Sequence, residues 1–275
     1  MRLTVMVDNN TNKRNLKAEA GLSFYIEDGA TKILFDTGES ALFIENAAKI
    51  GLNLGQLDYI VLSHGHFDHS GGLKSLLSLY TTSGQASRSK PIFLAHPLVF
   101  SRRVRDNLEL GCEVAEAELE NVFSVHKSNA SVWITENLVF LGEIDRNLKF
   151  EGNKPIGQIF QNGCAVPDYI CDDTALAFKS EQGLVIITGC SHSGICNIVE
   201  QAKQVCKDDR ILAIIGGFHL KTAFQEQLKG TISYLKQAQV NKLYAGHCTD
   251  QLSKIALAEL GNLGEVFVGL SLEYE

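Results

Sequence analysis

The chain has 275 residues, 45% hydrophobic and 21% charged, a balance ordinary for a soluble globular protein with room for one large α/β domain or two small ones. A net charge of −7 argues against a nucleic-acid backbone as the main partner, because such binding needs a basic face. No stretch approaches about 18 consecutive apolar residues, so no membrane span is expected, and the N-terminus reads as a first strand rather than a signal peptide.

That first strand covers 3–7, followed by a polar, Asn-rich stretch over 9–19. Strands over 22–26 and 33–35 pair through the turn chemistry of Glu27-Asp28-Gly29. Asp36-Thr37-Gly38 closes the second of them, and a helix with Leu42, Phe43, Ala47 and Ile50 on its apolar face ends at Gly51. Tyr59-Ile60-Val61-Leu62 reads as a buried strand, and after Gly71-Gly72 the spacing of Leu73, Leu76, Leu77 and Tyr80 suits a helix. Residues 81–90 form a Ser/Thr/Gly-rich loop expected to be mobile. A strand over 91–95 leads to Arg102, Arg103 and Arg105, answered by Glu109, Glu113, Glu116, Glu118 and Glu120. This charge run is a solvated surface on one reading and an anion-holding face on the other.

The second half alternates strands and helices, with strands over 132–134, 139–141, 175–178 and 184–187. Residues 147–173 have weak periodicity and read as a long loop of the kind that covers a site. A helix follows Gly194, a strand covers 211–215, a helix 225–238, a strand 243–245, a helix about 251–260, and a last strand 266–269. Nothing reads as an interdomain linker, so a single domain over 1–275 is expected. The seven cysteines, at 112, 164, 171, 190, 196, 206 and 248, form no Cys-x-x-Cys pair. That pattern suits reduced thiols in the cytoplasm.

Chemistry concentrates in Ser63-His64-Gly65-His66-Phe67-Asp68-His69-Ser70-Gly71-Gly72. Three histidines and an aspartate fall within six positions on a strand-to-helix turn, and imidazole and carboxylate are the groups zinc, iron and manganese take from proteins. One short motif would leave a metal under-coordinated. Three later histidines share one grammar, an apolar strand, then glycine, then histidine near a turn: Gly189-Cys190-Ser191-His192, Gly216-Gly217-Phe218-His219 and Gly246-His247. Strand carboxyl ends are where open α/β folds build their sites.

These motifs resemble those of the metallo-β-lactamase-fold metallohydrolases, whose signature run His64-x-His66-x-Asp68-His69 matches. Asp36-Thr37-Gly38 matches the family's early turn and His247 its last ligand histidine. The motifs around Cys190, His219 and Cys248 resemble the branch labelled 7,8-dihydropterin-6-yl-methyl-4-(β-D-ribofuranosyl)aminobenzene 5′-phosphate synthase. The resemblance implies an α/β fold of the αββα four-layer sandwich type with two divalent metal ions at the strand ends, zinc first, with manganese or iron as alternatives. It implies that His64 and His66 bind one ion with His192 as third ligand, and that Asp68 and His69 bind the other with His247. Cys190 stands where the family usually has a bridging aspartate, and serves as a soft ligand or as packing; Asp172-Asp173 could supply a carboxylate instead.

The function expected is metal-dependent hydrolysis of a small anionic or heterocyclic substrate, a phosphate ester or pterin-like compound. Asp68 would orient the attacking water, and His219 would act as a proton donor or oxyanion stabiliser. Arg102, Arg103, Arg146, Lys149 and Lys154 are candidate anion contacts. An iron redox protein on the same fold and a binding module without turnover are the competing readings.

Overall fold

The hairpin expected near the N-terminus forms because two β-branched and aromatic runs flank a two-residue turn at Gly29 and Ala30. Strands Ser23–Asp28 and Thr31–Phe35 pair antiparallel from Phe24 opposite Phe35 to Asp28 opposite Thr31. The computed structural model describes residues 1–82, 90–221 and 225–275. Most of the loop expected over 81–90 lies outside the described residues.

The described chain divides into two compact units. The first comprises Met1–Ser128, Gly157–Asp168 and Phe267–Tyr274. Its seven-stranded sheet runs in the order Ser271–Glu273, Arg2–Val7, Ser23–Asp28, Thr31–Phe35, Tyr59–Val61, Ile92–Ala95 and Ser124–Lys127. From Thr31–Phe35 onward the neighbours are parallel, with Phe35 opposite Val61 and Val61 opposite Leu94. That register brings the carboxyl ends of these strands side by side, so Asp36 arrives next to Ser63. Helices Leu42–Ile50, Leu73–Thr82 and Glu116–Val122 pack Phe43, Ala47, Leu73, Leu76 and Leu119 against Leu34, Ile60 and Phe93. Gly51 ends the first helix with φ 85°, a left-handed cap that costs glycine little. A four-stranded sheet of Cys164–Pro167, Gln158–Gln161, Arg103–Arg105 and Leu108–Glu109 completes the unit.

The second unit comprises Asn129–Ile156 and Tyr169–Val266, with Glu275. Its six-stranded sheet runs Lys242–Gly246, Ile211–Gly217, Gly183–Thr188, Ala175–Ser180, Leu138–Phe140 and Val132–Trp133. The first three strands are parallel, so their carboxyl ends also line up, at Thr188, Gly217 and Gly246. Helices Ile195–Cys206, Gln225–Gln237 and Gln251–Ala258 lie on this sheet, with Ile198, Val199, Ala202, Leu235 and Leu257 against Ile186, Ile214 and Leu243. Each unit thus has a large sheet with helices packed on it.

Three local expectations need correction. The stretch 147–173 is no continuous loop, since Gln158–Gln161 and Cys164–Pro167 form a hairpin inside it. Asn162 and Gly163 turn it with φ 50° and 79°, the left-handed pair an Asn-Gly turn adopts. The last strand is Ser271–Glu273 rather than 266–269. Gly269, at φ 87°, redirects the chain before it can pair with Arg2–Thr4. The acidic stretch holds the helix Glu116–Val122, with Glu118 Oε1 accepting from Ala115 N at 3.0 Å, and strand Ser124–Lys127 follows it. Among the described residues, no helix is long and apolar enough to cross a membrane.

Candidate metal centre

In the first unit the run of candidate ligands follows strand Tyr59–Val61, and its side chains are set by one buried carboxylate. Asp36 is fully buried at φ 60°, a conformation that aspartate tolerates better than most residues. Its Oδ1 accepts from Ser63 N and its Oδ2 from Ser63 Oγ, both at 2.7 Å. His69 Nδ1 lies 2.7 Å from the same Oδ2. Thr37 holds the other side of His69, donating from N at 2.7 Å and from Oγ1 at 2.9 Å to the His69 carbonyl.

These bonds decide the tautomers. Ser63 spends its single hydroxyl proton on Asp36, so its oxygen accepts from His64 Nδ1–H at 2.9 Å. His64 Nε2 therefore carries a lone pair, and it faces His66 Nδ1 at 3.1 Å. Two nitrogens bound to one tetrahedral zinc at about 2.0–2.1 Å lie about 3.3 Å apart, so this pair fits a shared ion. His69 gives its Nδ1 proton to Asp36, which leaves Nε2 as a donor atom 3.9 Å from Asp68 Oδ2. A carboxylate behind a ligand histidine is the usual arrangement for fixing ring orientation and raising basicity.

Backbone packing holds this turn. His66 is the residue before the short helix Phe67–Ser70, and its carbonyl accepts from His69 N and Ser70 N at 3.0 Å. A Cβ on Gly72 would come 2.5 Å from the Thr37 carbonyl oxygen and 2.7 Å from that of Ser40. Side chains are thus excluded where the turn crosses the Asp36-Thr37-Gly38 loop.

In the second unit, Cys190 and His192 follow strand Gly183–Thr188, His219 follows Ile211–Gly217, and His247 follows Lys242–Gly246. Cys190 Sγ and a ring nitrogen each of His192 and His219 all lie within 4.8 Å of one another. The His192 and His219 ring centroids are 4.3 Å apart. Asp173 is buried, and its Oδ2 accepts from Ser193 N at 2.8 Å. Burial pushes its carboxyl up to about 6, against the lowering pull of Ser193, His192 and Arg146. Asp173 thereby pins the loop that carries His192. Cys248 Sγ sits between these loops, 3.3 Å from His219 N and 3.4 Å from the Cys190 carbonyl oxygen.

The candidate anion contacts have varied surroundings. Arg102 is exposed, with Nε 3.0 Å from Glu109 Oε1 and its guanidinium over the Phe160 ring. Arg103 is completely buried and donates from Nε to Asp168 Oδ2 at 2.9 Å. Arg146 donates to the carbonyls of Gly152 at 2.7 Å and Ile170 at 2.9 Å, a scaffold role for that segment. Lys149 and Lys154 are exposed. His96 caps the turn Pro97–Phe100 by accepting from Leu98 N, and His126 is exposed on an outer strand. The sequence reading gave no role to Asp36, Ser63 or Cys248; the Asp-Thr-Gly turn after a strand was the available signal for the first.

The model of the metallo-β-lactamase superfamily matches residues 16–142. The chain belongs to that superfamily and has its fold. Within it, the chain is 35% identical over 248 residues to a 7,8-dihydropterin-6-methyl-4-(β-D-ribofuranosyl)-aminobenzene-5′-phosphate synthase of Methanocaldococcus jannaschii, covering 84% of this chain and 81% of that protein. It is 30% identical over 274 residues to an uncharacterised protein of the same organism, covering 97% and 98% of the two chains. A crystal structure of a metal-dependent hydrolase of the β-lactamase superfamily superposes with a TM-score of 0.84 at 26% identity, covering 100% and 99%.

Proposed function

We propose that the protein is a metal-dependent hydrolase of small anionic or heterocyclic substrates, with a phosphate ester or pterin-like compound as the substrate class. The observation that carries this reading is the relay from Asp36 through Ser63 to His64, which leaves two imidazole nitrogens 3.1 Å apart. The proposed ligand set for two divalent ions, zinc first, is His64, His66, Asp68 and His69 with Cys190, His192 and His247, following the superfamily pattern. The name of the similar synthase, which contains both a pterin and a phosphate, supports the substrate class.

When bound, the ions supply a water that ionises near neutral pH and polarise the oxygen under attack. Asp36 and Ser63 keep the His64 and His69 tautomers correct throughout. Asp68, half-buried beside His69, would take a hydrogen bond from the attacking water and hold its proton. Arg102 and Lys154 are the exposed cations proposed to meet an anionic substrate. A reducing, cytoplasmic location fits the seven cysteines, none of which is in a disulfide among the described residues.

Chelator treatment should abolish hydrolysis of p-nitrophenyl phosphate esters, and zinc or manganese should restore it. A His66→Ala or Asp68→Ala protein that retained normal metal content and turnover would sink the proposal.

A further inference from the structure

The loops that follow the three parallel strands of the second unit are laced to one another. Ser191 Oγ donates to the Gly217 carbonyl at 2.6 Å, and Gly217 N donates to the Gly189 carbonyl at 2.8 Å. Phe218 N donates to Thr249 Oγ1 at 3.1 Å. Cys248 Sγ accepts from His219 N at 3.3 Å and donates to the Cys190 carbonyl at 3.4 Å. Each loop is therefore bonded to both of the others.

The same loops hold strained backbone. Ser191, His219 and His247 have φ of 61°, 47° and 45°, in the left-handed region that costs a side-chain-bearing residue on the order of 1 kcal/mol or more. Such strain persists only where surrounding bonds over-determine it, and the lacing supplies those bonds. Its result is convergence: Cys190 Sγ and the His192 and His219 nitrogens fall within 4.8 Å of one another. In a tetrahedral zinc site, with Zn–S about 2.3 Å and Zn–N about 2.0–2.1 Å, neighbouring sulfur and nitrogen are about 3.5 Å apart. Side-chain adjustment of about 1 Å closes the set.

We propose that His219 is a metal ligand, forming with Cys190 and His192 a thiolate and two-imidazole site for a thiophilic divalent ion. This rests on the reading of the protein as a metalloenzyme; it departs from the sequence reading of His219 as a proton donor, and it takes Cys190 and His192 for this site in place of the ligand roles proposed for them above. One thiolate and two imidazoles select zinc or cobalt over magnesium or calcium, which take oxygen ligands. Proton donation by His219 would need no thiolate at its side. Cys248 acts here as a crosspiece, its sulfur joining the backbones of the two ligand-bearing loops.

Cobalt(II) loading of the full-length protein tests this by absorbance and by affinity. The wild type should show a near-ultraviolet thiolate-to-cobalt charge-transfer band, lost in Cys190→Ser and kept in Cys248→Ser. His219→Ala should bind cobalt at least about 100-fold more weakly, beyond the 10–100-fold typical of losing an outer partner. A band that persists in Cys190→Ser, or wild-type cobalt affinity in His219→Ala, overturns the assignment. Where His219→Ala does not fold, the hyperfine-shifted imidazole protons of cobalt-loaded wild type carry the decision: resonances assigned to His219 support it, and their absence overturns it. A wild type that binds metal and hydrolyses substrate while His219→Ala keeps its affinity defeats this assignment alone. A wild type that binds no metal defeats the broader reading as well.

Discussion

Asp36 Oδ2 and His69 Nδ1 are 2.7 Å apart, and both side chains are completely sealed from solvent. The same oxygen also takes the Ser63 hydroxyl, so one carboxylate sets two of the four metal-binding candidates in the first unit. Asp36→Asn tests the arrangement with little backbone cost, because asparagine is among the residues best tolerated at φ 60°. Its amide can present only one accepting oxygen, leaving a donor facing either His69 or Ser63. Zinc affinity should fall about 10–100-fold, measured by competition with a chelating dye. Unchanged affinity would show that Asp36 is only a structural turn residue.

Close packing at the glycine pair gives a second prediction. Gly72→Ala would drive a methyl group against the Thr37 and Ser40 carbonyls and the Phe43 ring, at 2.5, 2.7 and 2.6 Å. Backbone atoms on two sides cannot rotate away, so a loss of about 1–3 kcal/mol is expected. Gly163→Ala is a useful comparison, since nothing lies within 4 Å of the position its Cβ would occupy and only its φ of 79° penalises a side chain. Urea midpoints of the two variants should separate, with Gly72→Ala the lower.

Arg103 and Asp168 form an ion pair with 0% and 1% side-chain exposure. Removing one partner leaves a buried charge, which typically costs 3–5 kcal/mol. Asp168→Ala should therefore lose roughly that much stability and express poorly. Chemical denaturation reads this directly. If Asp168→Ala were as stable as the wild type yet raised KM for an anionic substrate, Arg103 would instead belong to substrate binding, as its place in a basic cluster suggested.

Much of this was legible in residue order. Strand and helix periodicity located most elements because the Val- and Ile-rich strands and amphipathic helices bury what they appear to bury. The His64-to-His69 run announced itself by density, and the glycine-then-histidine pattern picked out His192, His219 and His247. What stayed hidden depended on tertiary partners. Asp36 gains its role only when parallel pairing brings Phe35 level with Val61. Arg103 looked like its neighbour Arg102 in sequence, but Arg103 is buried against Asp168 while Arg102 stays exposed beside Glu109. The hairpin over 158–167 carried an Asn-Gly turn signal at 162–163 that weak periodicity around it obscured.

Glu151 supports a prediction about pH. It is 2% exposed, and its Oε1 accepts from Asn197 N at 2.7 Å, in the first turn of helix Ile195–Cys206. Burial pushes its carboxyl up to about 7, although hydrogen bonds from Asn197 and Cys196 pull the other way. In the unfolded chain the group ionises near its ordinary value of 4.5. Between those values the folded protein binds a proton that the unfolded chain has lost, so stability from this group falls as pH rises from about 4.5 to about 7. At about 1.4 kcal/mol per pH unit the loss approaches about 3 kcal/mol. Glu151→Gln keeps the oxygen that accepts from Asn197 and removes the charge. Relative to wild type, it should be near neutral at pH 5 and stabilising by a few kcal/mol at pH 8, in urea melts at the two pH values. Equal effects at both would mean that Glu151 is already ionised in the folded protein at pH 5.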